Sequence, residues 1–163
     1  MSTSLSNTIP DLRDGAGWRS AVEPAASEIA LYALGFSAAK VERPDADYTG
    51  KDKIGAHLPL IGGPRALELA LVGTEAACRA VAAAMLQSAP ESLAMPEVAD
   101  AVGEALNMLG GAIKRRFNSP DLELGLPLFV VGHVQATANL AIIALPTHFG
   151  PIAMHTLVIG RRG

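Results

Sequence analysis

The sequence predicts an α+β domain in which a largely antiparallel sheet packs against helices. Three observations lead there. Hydrophobic spacing switches between the 3.6-residue period of a helix and the two-residue period of a strand. The elements run helix, two strands, two helices, three strands, which is not the strict alternation of a parallel βαβ sheet. Turn chemistry at Gly62-Gly63-Pro64 and across 146–151 joins neighbouring strands closely enough for hairpins. The 163 residues, half of them hydrophobic, suit one domain with one core. Only 4% are aromatic, so that core must come from Ala, Leu, Val and Ile.

Residues 1–15 are rich in Ser, Thr, Asp and Gly and read as a flexible N-terminus, with the domain at 16–163. Residues 18–34 place Val22, Ala26, Ile29 and Ala33 on one helical stripe, with Gly35 as the stop. Pro24 removes a backbone donor, so the regular helix is expected to begin near it. Residues 40–53 are polar and read as a loop or an edge strand.

From Ile54 the period is two: Ile54, Ala56, Leu58 and Leu60, then Leu67, Leu69 and Leu71 beyond the turn. Thr74 is a helix N-cap and Glu75 favours the positive helix end. That helix is expected to reach about Gln87, with Ala77, Val81, Ala84 and Met85 inward. Residues 88–94 connect to a third helix. Pro96 suits its first turn, and it runs to Phe117 before Asn118-Ser119-Pro120 ends it. Strands follow at 126–134, 137–145 and 152–159, the last two joined as a hairpin.

The formal charge of −3 argues against a nucleic-acid partner, since the compact basic runs are only Lys114-Arg115-Arg116 and Arg161-Arg162. The first run ends a helix, where cations complement the dipole, or else docks an acidic partner. A single cysteine, Cys78, cannot form an internal disulfide and reads as a small buried residue in a reducing compartment. No signal peptide is expected, and the longest apolar run, 138–145, is far short of the roughly 20 residues a bilayer span needs. A cytoplasmic protein without membrane contact is the expectation. His57, His133, His148 and His155 show no metal-ligand spacing, although His57 and His155 fall on strands that could be neighbours. Gly62-Gly63-Pro64 lacks the Lys-Ser/Thr of a phosphate loop, and no G-x-S-x-G elbow is present.

The informative element is the third helix. Val98, Val102, Ala105, Leu106, Leu109 and Ile113 form its core arc. Opposite lie Glu97, Asp100, Glu104, Asn107, Gly111 and Lys114, at spacings of three, four, three, four and three, so they stack along one line. Three carboxylates precede an amide there. Gly103, Gly110 and Gly111 lie inside the helix, each costing about 1 kcal/mol relative to Ala at an exposed position. Either they let another surface approach, or they let the helix pack tightly on the sheet. Glu104 and Asn107 lack a neighbouring nucleophile. An amide can orient a water, and a carboxylate can pair with a partner's cation. Phosphoryl transfer needs little more when the partner brings its own metal and lysine.

At these residues a resemblance appears. Asp100-Ala-Val-Gly-Glu104-Ala-Leu-Asn107-Met-Leu-Gly-Gly111 resembles the signature of the CheC/CheX chemotaxis phosphatases: Asp or Ser, three residues, Glu, two residues, Asn, then small residues. Residues 54–87 are similar to the strand–hairpin–helix unit that precedes the signature, and 124–133 to the Pro-containing strand that follows it. The likeness spans 18–160, and the single signature copy resembles CheX more than CheC. The resemblance implies a phosphatase acting on the phosphoaspartate of a CheY-like response-regulator receiver domain. It implies that Asn107 orients the attacking water, that Glu104 pairs with the receiver's lysine, and that Mg²⁺ belongs to the receiver, leaving this chain with no cofactor of its own. Asp100, Gly103 and Gly111 would contact the partner. It also implies a homodimer that involves the sheet. Gly103 and Ala105 leave the motif's surroundings smaller than usual. Two rivals stand beside this reading: a non-catalytic adaptor that binds a receiver or flagellar protein, and a structural dimer with a solvated helix face.

Overall fold

Helix α1 covers Gly15–Ile29 and continues through a π turn, Ala30–Leu34, to Gly35, whose φ of +77° closes it. The computed structural model describes residues 8–45, 53–63, 65–117, 119, 121–132 and 136–162. Asp14 caps α1 by accepting from the Gly17 N–H at 2.8 Å. Pro24 lies inside α1, not at its start. One missing donor is tolerated because burial of Trp18, Ala21, Val22, Ala25, Ala26 and Ile29 holds the helix on both sides of it. Of the N-terminal stretch expected to be flexible, 1–7 lie outside the described residues, whereas Leu12 is buried and Ile9 packs on the core.

Strand β1 (Ala39–Val41) settles the open reading of 40–53 as an edge strand over its first part; 46–52 lie outside the described residues. Strands β2 (Ile54–Ile61) and β3 (Leu67–Gly73) form the expected hairpin, with Leu58 opposite Leu69. Helix α2 (Glu75–Leu86) is capped by Thr74, which accepts from the Ala77 N–H at 3.1 Å, and Gln87 closes it at a φ of +52°. A short 3-10 turn, Pro90–Ser92, leads to helix α3 (Met95–Lys114).

The strand expected at 126–134 forms over β5 (Leu128–Val131), with 133–134 outside the described residues, and a two-residue strand that was not expected, β4 (Glu123–Leu124), precedes it. Both pair with β2, β4 at Leu60–Ile61 and β5 along 54–57, so they share one edge interrupted by 125–127. Strands β6 (Leu140–Phe149) and β7 (Ile152–Arg161) are longer than expected, and only Gly150-Pro151 turn the chain. Gly150 has a φ of +57° and lies against Phe36, whose ring would meet any Cβ at 2.7 Å. Pro146 sits within β6. Its carbonyl accepts from the Glu42 N–H at 2.9 Å, and its missing donor faces the side where β1 has ended.

The sheet order is β1-β6-β7-β3-β2-β4, with β5 also on β2, and every pairing is antiparallel. One face carries the three helices over the main core. Trp18 and Phe117 meet edge to face there, centroids 5.6 Å apart. On the other face, Ala70, Val72, Ala144, Leu157 and Ile159 form a smaller buried cluster. This is why the central strand β3 is buried along nearly its whole length and not in strict alternation. Cys78 is buried with its thiol toward the Ile54 carbonyl at 3.5 Å, and burial pushes its pKa up to about 12.

His155 on β7 gives the fold a pH dependence. Burial pushes its imidazole below the ordinary 6.5; the charge of Lys53 and then His148 add to this, while Asp45, 3.9 Å from Nε2, opposes it. A histidine with a lower pKa folded than unfolded favours folding while neutral. That contribution is present above pH 6.5 and is lost as the pH falls below it toward the folded-state pKa. The urea midpoint is expected to drop as the pH is lowered from 6.5, and His155→Gln should flatten the drop. Identical slopes in the two proteins would exclude His155 as the cause.

Candidate functional site

Helix α3 is fixed at both ends before its exposed face is considered. At the start, the Glu97 carboxylate accepts from the Ala94 N–H at 3.0 Å, satisfying one otherwise orphaned donor. Arg79 of α2 donates to the Leu93 carbonyl at 2.7 Å and holds the connector that aims α3. At the far end, Arg115 donates to Glu28 of α1 at 2.7 Å. Between these points Val98, Val102, Leu106, Leu109 and Ile113 are all at most 1% exposed, so the core arc is the expected one. Burying one such Leu or Ile side chain is worth about 1.5–3 kcal/mol, enough to fix which face looks outward.

The opposite line is on the surface. Asp100 and Glu104 are exposed, and Asn107, Gly111 and Lys114 are partly so. The side chains of Asp100, Glu104 and Asn107 make no hydrogen bond or ion pair among the described residues. Glu97 stands on the line too, but its carboxylate is occupied by the helix start. Three and four residues apart on a helix puts Cβ atoms about 5–6 Å from one another. A carboxylate and an amide therefore project side by side with their polar atoms unspent.

The three glycines divide. A Cβ on Gly110 would lie 2.8 Å from Leu58 and 3.3 Å from Leu124, so this residue lets α3 settle close on β2 and β4. Gly103 is buried, and its nearest neighbour, Pro127, is 3.6 Å from a Cβ position. It faces the link between β4 and β5 and does not stand on the exposed line. Gly111 has nothing within 4 Å of its Cβ position. Packing accounts for Gly110 and places Gly103 inside; only Gly111 leaves bare backbone on the open face, one turn beyond Asn107.

A neighbour the sequence did not single out completes the site. A surface groove of about 440 Å³ runs beside the line, between Met85 and Leu86 of α2 and Glu97, Asp100, Ala101 and Glu104 of α3. Its apolar wall comes from Leu86, which is 47% exposed at the end of α2. Met85, expected inward, packs on the core and lines this groove as well. An exposed Leu just before a helix end was the available signal.

The chemistry open to this face is limited. Helix α3 contains no Ser, Thr, Cys or His, so it offers no hydroxyl or thiol nucleophile and no imidazole base. No group of three His, Cys, Asp or Glu able to hold a metal occurs among the described residues. His57 and His155 are not adjacent, because β3 lies between their strands, and His57 instead pairs with Glu68 at 2.7 Å. His133 lies outside the described residues. Among the described residues no helix is long and apolar enough to cross a membrane. What the face can do is orient a small polar molecule with an amide and pair a carboxylate with a visiting cation.

Comparison with known proteins is consistent with this. The family model "Chemotaxis phosphatase CheX" matches residues 56–146, a stretch that contains all of α3. The chain is similar to a CheC-like superfamily protein from Shewanella sp. PV-4, with 20% identity, a TM-score of 0.70, and coverage of 88% of this chain and 96% of that one. It is similar to chemotaxis protein CheX from Vibrio vulnificus at 18% identity and a TM-score of 0.66, covering 88% and 95%. A chain in the CheX–CheY–BeF3–Mg²⁺ complex from Borrelia burgdorferi matches at 14% identity and a TM-score of 0.64, covering 88% and 97%. At these identities the structural likeness establishes the fold. No match is found among curated proteins.

Proposed function

The chain belongs to the CheX family of chemotaxis phosphatases, and from that premise we propose that it hydrolyses the phosphoaspartate of a CheY-like receiver domain, with Asn107 orienting the attacking water. The observation that carries this reading is the line of Asp100, Glu104, Asn107 and Gly111 on α3, its carboxylates exposed and its amide partly exposed, with no side-chain partner among the described residues. The Borrelia burgdorferi complex, which unites CheX with CheY, BeF3 and Mg²⁺, supports a receiver as the partner.

In this mechanism the receiver supplies its own Mg²⁺ and lysine, and this chain supplies no cofactor. Glu104 pairs with the receiver's lysine and sets the docking register. The Asn107 amide enters the receiver's site and holds a water in line with the phosphorus. The water oxygen bonds to phosphorus, the bond from phosphorus to the aspartyl oxygen breaks, and inorganic phosphate leaves with the carboxylate restored. Because phosphoryl transfer depends mainly on positioning and charge stabilisation, one oriented water is a sufficient contribution. Gly111 leaves room for the receiver's backbone, and Asp100 adds a second acidic contact. Gly103 acts only indirectly, by letting the segment around Pro127 lie against α3. A receiver substrate would place the protein in the cytoplasm.

The test is the decay of radiolabelled phospho-receivers from the same organism, with and without this protein. Faster decay of at least one receiver supports the reading. Binding of receivers with unchanged decay across the whole set would replace it with the adaptor reading. On the same family ground we propose a homodimer. Sedimentation equilibrium should give twice the chain mass, and a monomer mass at every concentration would overturn that.

A further inference from the structure

Four of the thirteen Lys and Arg residues of this acidic chain converge on one cavity far from α3 in sequence. The cavity, about 480 Å³, is lined by Asp11, Leu12, Arg13, Arg65, Ala141, Ile142, Arg161 and Arg162, and it shares no residue with α3 or its groove. The arginines come from three separate places: the segment before α1, the β2–β3 turn, and the end of β7. Four guanidinium groups against one carboxylate leave a local charge of +3, in a chain whose formal charge is −3.

Three of the four arginines make side-chain contacts within the chain. Asp11 lies 3.4 Å from both Arg13 and Arg65, and the Arg13 side chain stays 92% exposed. Arg162 donates from Nε to the Thr137 carbonyl at 3.1 Å, and its backbone N–H donates to Asn139 at 2.9 Å. The Arg161 side chain makes no hydrogen bond or ion pair among the described residues. Its guanidinium is therefore available, and the single carboxylate of Asp11 is shared by two others. Guanidinium groups match phosphate oxygens in pairs, which favours a ligand with adjacent phosphoryl groups. Ile142 adds a partly exposed apolar wall, with the buried Leu12 and Ala141 beneath the cavity. The volume lies within the range of about 300–1,000 Å³ typical of small-molecule sites and exceeds what inorganic phosphate would fill.

We propose that this cavity binds a nucleoside di- or triphosphate, its phosphates on Arg13, Arg65 and Arg161 and its nucleoside against Ile142. The site is independent of the α3 face. Asp11 competes with the ligand for Arg13 and Arg65, which yields substitutions of opposite sign.

The test is isothermal titration of the full chain with ADP, ATP, pyrophosphate and adenosine. ADP and ATP are expected to bind and to weaken with ionic strength. Arg65→Ala and Arg161→Ala should each lower affinity by about tenfold, the loss of one charge-assisted contact, while Asp11→Asn should raise it several-fold. All three positions are on the surface, and matching thermal melts will show that the variants are folded. Asn107→Ala should bind as the wild type does. Absence of binding at about 1 mM, or affinities that ignore all three substitutions, would overturn the proposal. So would pyrophosphate binding as tightly as ADP, which would remove the nucleoside. Tighter retention of a single-stranded oligonucleotide would make the arginines a nucleic-acid surface and overturn it as well.

Discussion

Asn107→Ala is expected to abolish the acceleration of phosphoaspartate hydrolysis while leaving the fold unchanged. The two halves rest on different observations. The fold half rests on exposure: the Asn107 side chain is partly on the surface and makes no hydrogen bond within the chain among the described residues. Replacing it removes no internal partner, and alanine is the better helix former. Stability should stay within about 0.5 kcal/mol, as for surface changes away from special features. The activity half rests on chemistry. With no hydroxyl or thiol nucleophile on α3, orienting a water is the main thing this face can contribute. Loss of one preorganised group of this kind costs about 10²–10³ in rate. The readout is the decay rate of the labelled phospho-receiver at saturating protein. A variant that bound the receiver normally and retained full activity would remove Asn107 from the mechanism and leave the family fold untouched.

Adding bulk at Gly110 and Gly111 should separate folding from docking. Gly110→Leu puts a side chain where a Cβ alone already lies 2.8 Å from Leu58, which is fully buried. Helix α3 would have to lift from β2, and the expected destabilisation is about 3 kcal/mol, the upper range for overpacking a core. Gly111→Leu meets open space. It should stabilise the isolated protein by about 0.8 kcal/mol through helix propensity. Its effect should fall on function: a leucine one turn beyond Asn107 would hold the receiver's surface away. Phosphatase activity should drop about tenfold or more, with receiver affinity falling alongside it. Urea unfolding and the decay assay read the two effects separately. Normal activity in Gly111→Leu would mean the open backbone serves no approach, and comparable stability of both variants would contradict the packing at Gly110.

The third helix was the most legible part of the sequence. Its core arc, its polar line and its start near Pro96 all follow from spacing within twenty consecutive residues, and the structure reproduces them. Thr74 as a cap and the β2–β3 hairpin were legible for the same reason, since each depends on residues a few positions apart. Proline placed by local rules was misread twice. Pro24 and Pro146 lie inside an element because packing on both sides, or the end of a neighbouring strand, removed the usual penalty. The extra strand β4 ahead of β5 was likewise invisible, because it depends on how 123–131 registers on β2.

What the sequence by itself determined is the order of elements and the polar face of α3, because periodicity and capping are interactions between near neighbours along the chain. What only the tertiary structure decided is the meaning of individual residues. Gly103 turned inward, Gly110 became a packing contact, and Gly111 stayed open, although all three are the same residue on the same helix. Leu86 became a groove wall, and arginines nearly 150 positions apart came to face one cavity. Those outcomes depend on which strand lies beneath a helix and which chain segments meet at a sheet end. Such contacts are set by burial over the whole molecule, and no window of the sequence contains them.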